Sequence, residues 1–243
     1  MVAFALVCAV PGAVAARVDS GAAVAIDAEA EGSDDIVVVG DNGGAYRLTG
    51  DSLRDAARAY REHSSTFAPD ATLYFAVEAG DGGTLDGLTL YLRARERGED
   101  GSRAIIDLPL DAMGRFVLPP EIAASGNWDL RANRSRGGIR IRPLVLSPGS
   151  SIPDRRFGDM RLQCRVSVAF ARLSLPIRLL AGAIGPCSSS RVQLYTRAPR
   201  PLSAVTITDY AATVDVRPDG IAYHVPLQDE RIGNEARLRH IYR

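Results

Sequence analysis

Histidine, cysteine and arginine are the residues through which this chain could do chemistry, and each is thinly or peculiarly supplied. The three histidines are His63, His224 and His240. His224 sits beside Val225-Pro226, with Asp219 five residues earlier and Ser188, Ser189 and Ser190 upstream. A Ser-His-Asp triad can be drawn from these, but no Gly-x-Ser-x-Gly elbow frames a serine. An exported hydrolase centred on His224 is therefore the alternative function, not the leading one. His63 closes an amphipathic segment, where a cation suits the helix dipole. His240 stands three residues from the last residue in a basic stretch and is expected to be solvated. No histidine or cysteine pair has metal-ligand spacing, and the acidic turns at Glu99-Asp100-Gly101 and 79–83 lack the alternating carboxylates of a calcium loop. All 29 basic residues are arginine. Without lysine there is no Schiff-base amine, no pyridoxal phosphate anchor and no P-loop lysine. A Gly-x-Gly-x-x-Gly fingerprint is also absent, and no cofactor is expected.

Arginine is the most suggestive feature. Arg134 and Arg136 are expected on the turn before a strand in which Arg140 and Arg142 alternate with Ile139 and Ile141, so the latter two arginines should share one sheet face. Guanidinium forks match carboxylate and phosphate geometry, so these four residues are the candidate binding site for an anionic ligand. The competing reading is a solvated face whose arginines pair with acids of the first half. Through Asp111 the chain has 9 Arg against 19 acids, a net charge of −10; from Ala112 onward the net is +10.

Residues 1–16 form an apolar run ending in Ala13-Val14-Ala15, the pattern of a cleaved signal peptide. No basic residue precedes it, so the natural start is expected further upstream. Removal would leave Cys164 and Cys187, an even pair in an oxidising compartment, and a disulfide between them is expected. Export and scarce aromatics, 6% of residues, argue against a nucleic-acid partner. A periplasmic or secreted location follows, with an envelope protein or an anionic glycan or lipid as partner and no membrane span.

These groups need a scaffold, and the chain reads as writing that scaffold twice. Leu90-Tyr91-Leu92-Arg93-Ala94, Gly114 and Gly126-Asn127 return as Leu194-Tyr195-Thr196-Arg197-Ala198, Gly220 and Gly233-Asn234, at offsets of 104, 106 and 107. Residues 17–44 read as a flexible mature N-terminus. One helix is expected over 51–63, with Leu53, Ala56, Ala57 and Tyr60 on one face, Asp51 as N-cap, and Ser64-Ser65 and then Pro69-Asp70 as stop. Short strands with glycine turns follow about every ten residues. Ser147 to Pro153 reads as a linker, which divides the chain into 45–147 and 148–243. Met160, Leu162, Cys164, Val166, Val168 and Phe170 alternate with polar residues, which reads as a half-buried strand; a helix capped by Asp159 is the alternative. A short apolar helix is expected over 176–183.

Two resemblances add to this. Asp35-Ile36-Val37-Val38-Val39-Gly40 resembles the TonB box of outer-membrane receptors, with Val39 in place of the usual threonine; the residues that follow do not read as such a barrel, and an ordinary first strand is the expectation. Asp111-Ala112-Met113-Gly114-Arg115-Phe116-Val117-Leu118-Pro119, followed by Gly126-Asn127-Trp128, resembles the second hairpin of carboxypeptidase-regulatory-like and transthyretin-like modules. That resemblance implies a mainly β chain of two tandem Ig-like β-sandwich modules with one or two short helices, non-enzymatic, with no catalytic residues to carry over.

Overall fold

The computed structural model describes residues 45–80, 83–135, 137–171, 185, 187–188, 195–209 and 213–243. The apolar run 1–16, the segment 17–44, Arg136 and the expected helix 176–183 lie outside them. The described residues are mainly β, with fourteen strands in antiparallel sheets and three helices.

Strand β1 (Ala45–Leu48) turns at Thr49 directly into α1 (Gly50–Phe67). The sequence expectation was too short at both ends. Thr49, with extended φ and ψ, is the N-cap, and Asp51 lies inside the first turn, paired with Arg54 and Arg95. Of the two expected stops, Ser64-Ser65 does not end the helix and Pro69 does, because it forbids helical geometry at Ala68, whose φ is −157° and ψ 78°. The buried face of Leu53, Ala56 and Ala57 enters the core of the first half, and α1 lies against the later helix of residues 157–170.

Strands β2 (Thr72–Ala79), β3 (Leu90–Ala94), β4 (Ile105–Leu108), β5 (Arg115–Phe116), β6 (Trp128–Ser135) and β7 (Ile139–Leu146) complete the first half, with a short helix α2 (Pro120–Ser125) that the sequence did not announce. They form two sheets, ordered β1-β6-β3-β4 and β5-β2-β7. The second half has β8 (Asp154–Arg156), α3 (Phe157–Phe170), β9 (Tyr195–Arg197), β10 (Leu202–Thr208), β11 (Thr213–Val216), β12 (Pro218–Asp219), β13 (Ala222–His224) and β14 (Arg237–Tyr242). Its sheets are ordered β8-β14-β10-β11 and β12-β13-β9.

The first sheet of each half has one order: a short strand running into the helix, then the strand that follows the Gly-Asn turn, then a hairpin. The helices correspond as well, since Leu53-Arg54 and Ala57-Arg58 stand where Met160-Arg161 and Cys164-Arg165 return. One correspondence drawn from sequence is wrong. The counterpart of β3 is β10, which pairs with β14 and β11 as β3 pairs with β6 and β4; β9, carrying the Tyr195-Thr196-Arg197 echo, pairs with β13 in the other sheet. A five-residue likeness cannot identify a strand whose place is set by its partners.

The alternating stretch 160–170 is helical, which settles the open choice against the strand. Its period-two appearance has a physical cause. Leu162, Val166 and Phe170, four residues apart, enter the core of the first half with Leu53, Phe75 and Val145. Phe157, Met160 and Cys164 enter a second core with Leu202, Val205, Ile207, Tyr223 and Leu238. Two helical stripes offset by two residues superpose into an apparent alternation. Burying Leu162, Val166 and Phe170 stabilises the junction by roughly 1.5–3 kcal/mol per side chain.

Candidate functional site

The candidate arginines lie on and around β7. Ile139 and Ile141 point into the core, 2% and 6% exposed, so Arg140 and Arg142 are carried on the outer face, each half-buried. Glu78 of β2 stands directly opposite Arg140, and Ala76 opposite Arg142. Arg142 nevertheless takes the carboxylate: its Nε donates to Glu78 Oε1 at 2.7 Å. Arg140 has no hydrogen bond or ion pair among the described residues. Arg134 sits on β6, in the other sheet, and donates to the carbonyl of Asp86. The structure thus brings Arg140 and Arg142 together on one strand and puts Arg134 on a different sheet.

Further along, β7 meets a buried polar seam that the sequence reading missed. Arg155 of β8 is 3% exposed, and its Nη2 donates to the Val145 carbonyl at 2.8 Å and to Gln163 Oε1 at 2.7 Å. The Val145 N–H donates to the same Gln163 oxygen at 3.2 Å. Asp159 is fully buried at the start of α3 and accepts from the Ser147 N–H at 3.0 Å and from Ser147 Oγ at 2.5 Å. Burial pushes the Arg155 guanidinium down to about 10; Tyr223 and Asp159 oppose the shift, and Arg142 adds to it. In register, Arg155 faces Leu238 as Leu48 faces Leu130 in the first half. The repeat is therefore the one sequence signal that could have exposed it: an arginine where the other copy has a core leucine.

Beyond Arg155 lies His240, and here the sequence expectation is corrected. It is not solvated: β14 directs Leu238, His240 and Tyr242 inward by alternation. His240 Nε2 lies 2.7 Å from the Tyr223 hydroxyl and Nδ1 3.2 Å from that of Tyr242, and the ring stands edge-on to both. Burial, with the Arg155 charge second, lowers its pKa to about 4. The neutral ring bridges two phenols, and both of its nitrogens are engaged by tyrosine.

His224 lies on β13 on the face opposite Tyr223 and is half-buried, which lowers its pKa. Asp219 is exposed across the hairpin, in register with Ala222. Ser188 is exposed and accepts from Arg165 Nη2 at 3.2 Å, while Ser189 and Ser190 lie outside the described residues. His63 is half-buried on α1, its ring tilted against Phe67.

Two fastenings hold this frame. Asp129, 4% exposed, accepts from Arg47 Nε and Arg95 Nε at 3.0 Å each, and from the Gly50 N–H at 3.4 Å, which ties the start of α1 to β6. Burial raises its pKa, but the Arg95 hydrogen bond, the Arg47 charge and the Gly50 amide outweigh that, so it stays below the usual carboxylate range. Cys164 and Cys187 form the expected disulfide, with Cα atoms 5.9 Å apart, joining α3 to a point 23 residues on. Among the described residues no group of three or more His, Cys, Asp or Glu is placed to hold a metal ion, and no helix is long and apolar enough to cross a membrane. Compared with models of known protein families, with curated proteins and with solved structures, the chain matches none.

Proposed function

We propose that this chain is an exported, non-enzymatic binding or scaffold protein of the cell envelope, built of two tandem sandwich-like modules, that takes an anionic ligand through the arginines of β7. One observation carries the reading: Arg140 and Arg142 share a half-buried strand face whose one carboxylate among the described residues of β2 and β7 is Glu78, and that carboxylate is held by Arg142. A guanidinium held on a rigid strand without a partner can give its donor fork to a carboxylate, sulfate or phosphate with little loss of side-chain entropy. The cystine and the signal-like leader support export, since a disulfide persists in oxidising compartments. The chemistry fits acidic glycans, anionic lipid headgroups and acidic protein segments alike.

The test is retention on an immobilised acidic glycan and on lipopolysaccharide across a salt series. Wild type should be retained and released steeply by salt, and Arg140→Ala/Arg142→Ala should lose retention while keeping its unfolding midpoint. Retention of the double variant equal to wild type would remove the arginines from the site. Failure of wild type to bind any anion would remove the function.

A further inference from the structure

The outer face of the sheet β1-β6-β3-β4 carries more guanidinium than its buried carboxylate can hold. Leu90, Leu92, Leu130 and Ala132 are 3% exposed or less and point into the core. By alternation, Tyr91 and Arg93 of β3 and Asp129 and Arg131 of β6 lie on the opposite face. The register runs Arg47, Arg131, Tyr91, Asp107 across the four strands, and the neighbouring row sets Asp129 beside Arg93.

Asp129 is fully engaged. Its Oδ2 accepts from Arg47 Nε at 3.0 Å and lies 2.7 Å from Arg47 Nη2, while Oδ1 accepts from Arg95 Nε at 3.0 Å and from the Gly50 N–H. Arg95 also reaches Asp51, at 3.2 Å. Arg93 stands opposite Asp129 in register, yet it is exposed and has no hydrogen bond or ion pair among the described residues. Arg131 comes only within 4.0 Å of the same carboxylate, and its Nε is buried without an acceptor. Such a donor has lost water and gained no partner in return. The Tyr91 hydroxyl also lacks a partner among the described residues, and Asp107, exposed at the end of the row, is bonded to neither arginine.

We infer that Arg93, Arg131 and Tyr91 form a second anion site, independent of the β7 arginines, that takes a phosphate monoester dianion. Arg131 and Arg93 are diagonal neighbours on adjacent antiparallel strands, a separation that long side chains span. Both forks therefore converge on one tetrahedral group, with Tyr91 directly beside Arg131 and on the same face as Arg93. Three terminal oxygens match two guanidiniums and a phenol, and two negative charges balance the two cations that Asp129 leaves without a bond. Arg47 and Arg95 stay on Asp129 and add to the positive field. The rest of this half is acidic, with 19 acids against 9 arginines through Asp111, which repels a long polyanion and favours a compact one.

The test titrates the full chain with methyl phosphate, a monoester dianion, and with dimethyl phosphate, a diester monoanion, following the arginine Nε–H resonances. Methyl phosphate should bind about tenfold tighter or more and shift the signals of Arg93 and Arg131. Arg93→Ala removes an exposed, unbonded side chain, so it should weaken this binding about tenfold without moving the unfolding midpoint, and Tyr91→Phe should weaken it about fivefold. Arg140→Ala/Arg142→Ala should leave the titration of the Arg93 signal unchanged. Equal binding of the two phosphates, or a titration of the Arg131 signal that Arg93→Ala leaves unaltered, overturns the inference. Methyl phosphate bound only through Arg140 and Arg142 overturns it while the β7 reading stands; anions bound here and none at β7 do the reverse, and no binding at either removes both. Two further probes separate the sources of the phosphate. Glucose 6-phosphate that titrates Arg93, with no sedimentation on phosphatidic acid vesicles, supports the site for a sugar phosphate; sedimentation that Arg93→Ala abolishes supports it for a lipid headgroup.

Discussion

His240 makes acid stability the most informative property to measure. Its ring is neutral in the fold because burial, reinforced by the nearby Arg155 charge, lowers its pKa from 6.5 to about 4. A depressed pKa favours folding while the ring is neutral: the contribution is complete above 6.5 and is lost as the pH falls through about 4. Full linkage over that interval is worth about 3 kcal/mol, and the half-buried ring reduces this through solvent screening to about 2 kcal/mol. His224, lowered by burial as well, pushes in the same direction. The measurement must therefore be a difference between wild type and His240→Gln, whose carboxamide can keep the bond to Tyr223 but cannot take up a proton. Losing the contact with Tyr242 should shift the variant by about 1 kcal/mol at every pH. Urea unfolding of both proteins from pH 7 to about 4 should then show curves that converge or cross as acid is added, with wild type losing about 2 kcal/mol more than the variant. Parallel curves would refute the reasoning, because they would mean that the ring titrates alike in the folded and unfolded chain.

Three further outcomes are expected. Arg155→Leu, which writes the first half's residue into the second, should stay within about 1 kcal/mol of wild type: relief of a buried charge worth about 3 kcal/mol offsets the unpaired Val145 carbonyl. Arg155→Ala should lose a further 2–5 kcal/mol or so to the cavity, and equal losses in the two variants would contradict this. Arg161 donates to the carbonyls of Leu227, Asp229 and Ile232 and to Asn234 Oδ1, so Arg161→Ala should cost about 3 kcal/mol and Arg161→Lys should recover little, since an ammonium cannot span those acceptors; full recovery in the lysine variant, read by thermal unfolding, would count against it. Reduction of the cystine, or Cys164→Ser/Cys187→Ser, should lower stability by about 3 kcal/mol in urea without changing the circular dichroism of the native state; a loss of helical signal would show that the bond holds α3 together.

Local patterns were legible wherever one neighbour decides the outcome. The Ile-Arg-Ile-Arg alternation placed Arg140 and Arg142 on one face before any sheet partner was known, because side chains alternate along any strand. The two cysteines beyond the apolar run 1–16 announced their bond by being an even pair, and the Gly114, Gly126 and Gly220 turns were marked by a residue able to hold a positive φ. The stretch 160–170 failed because a helix serving two cores has no single polar face, so its pattern carries the sum of two surfaces. His240 failed because its surroundings are built by Tyr223, Tyr242 and Arg155, each contributed by a different strand.

Composition and spacing by themselves determined the chemistry on offer: guanidinium without ammonium, two cysteines fit to pair, short strands between glycine turns, and a duplicated pattern. Only the tertiary structure decided which arginine is buried, that Arg140 has no partner among the described residues, and which strand of one half answers to which of the other. Those outcomes depend on long-range pairing, on β7 ending a sheet and α3 joining two cores, and the residues that determine them lie far apart in the chain.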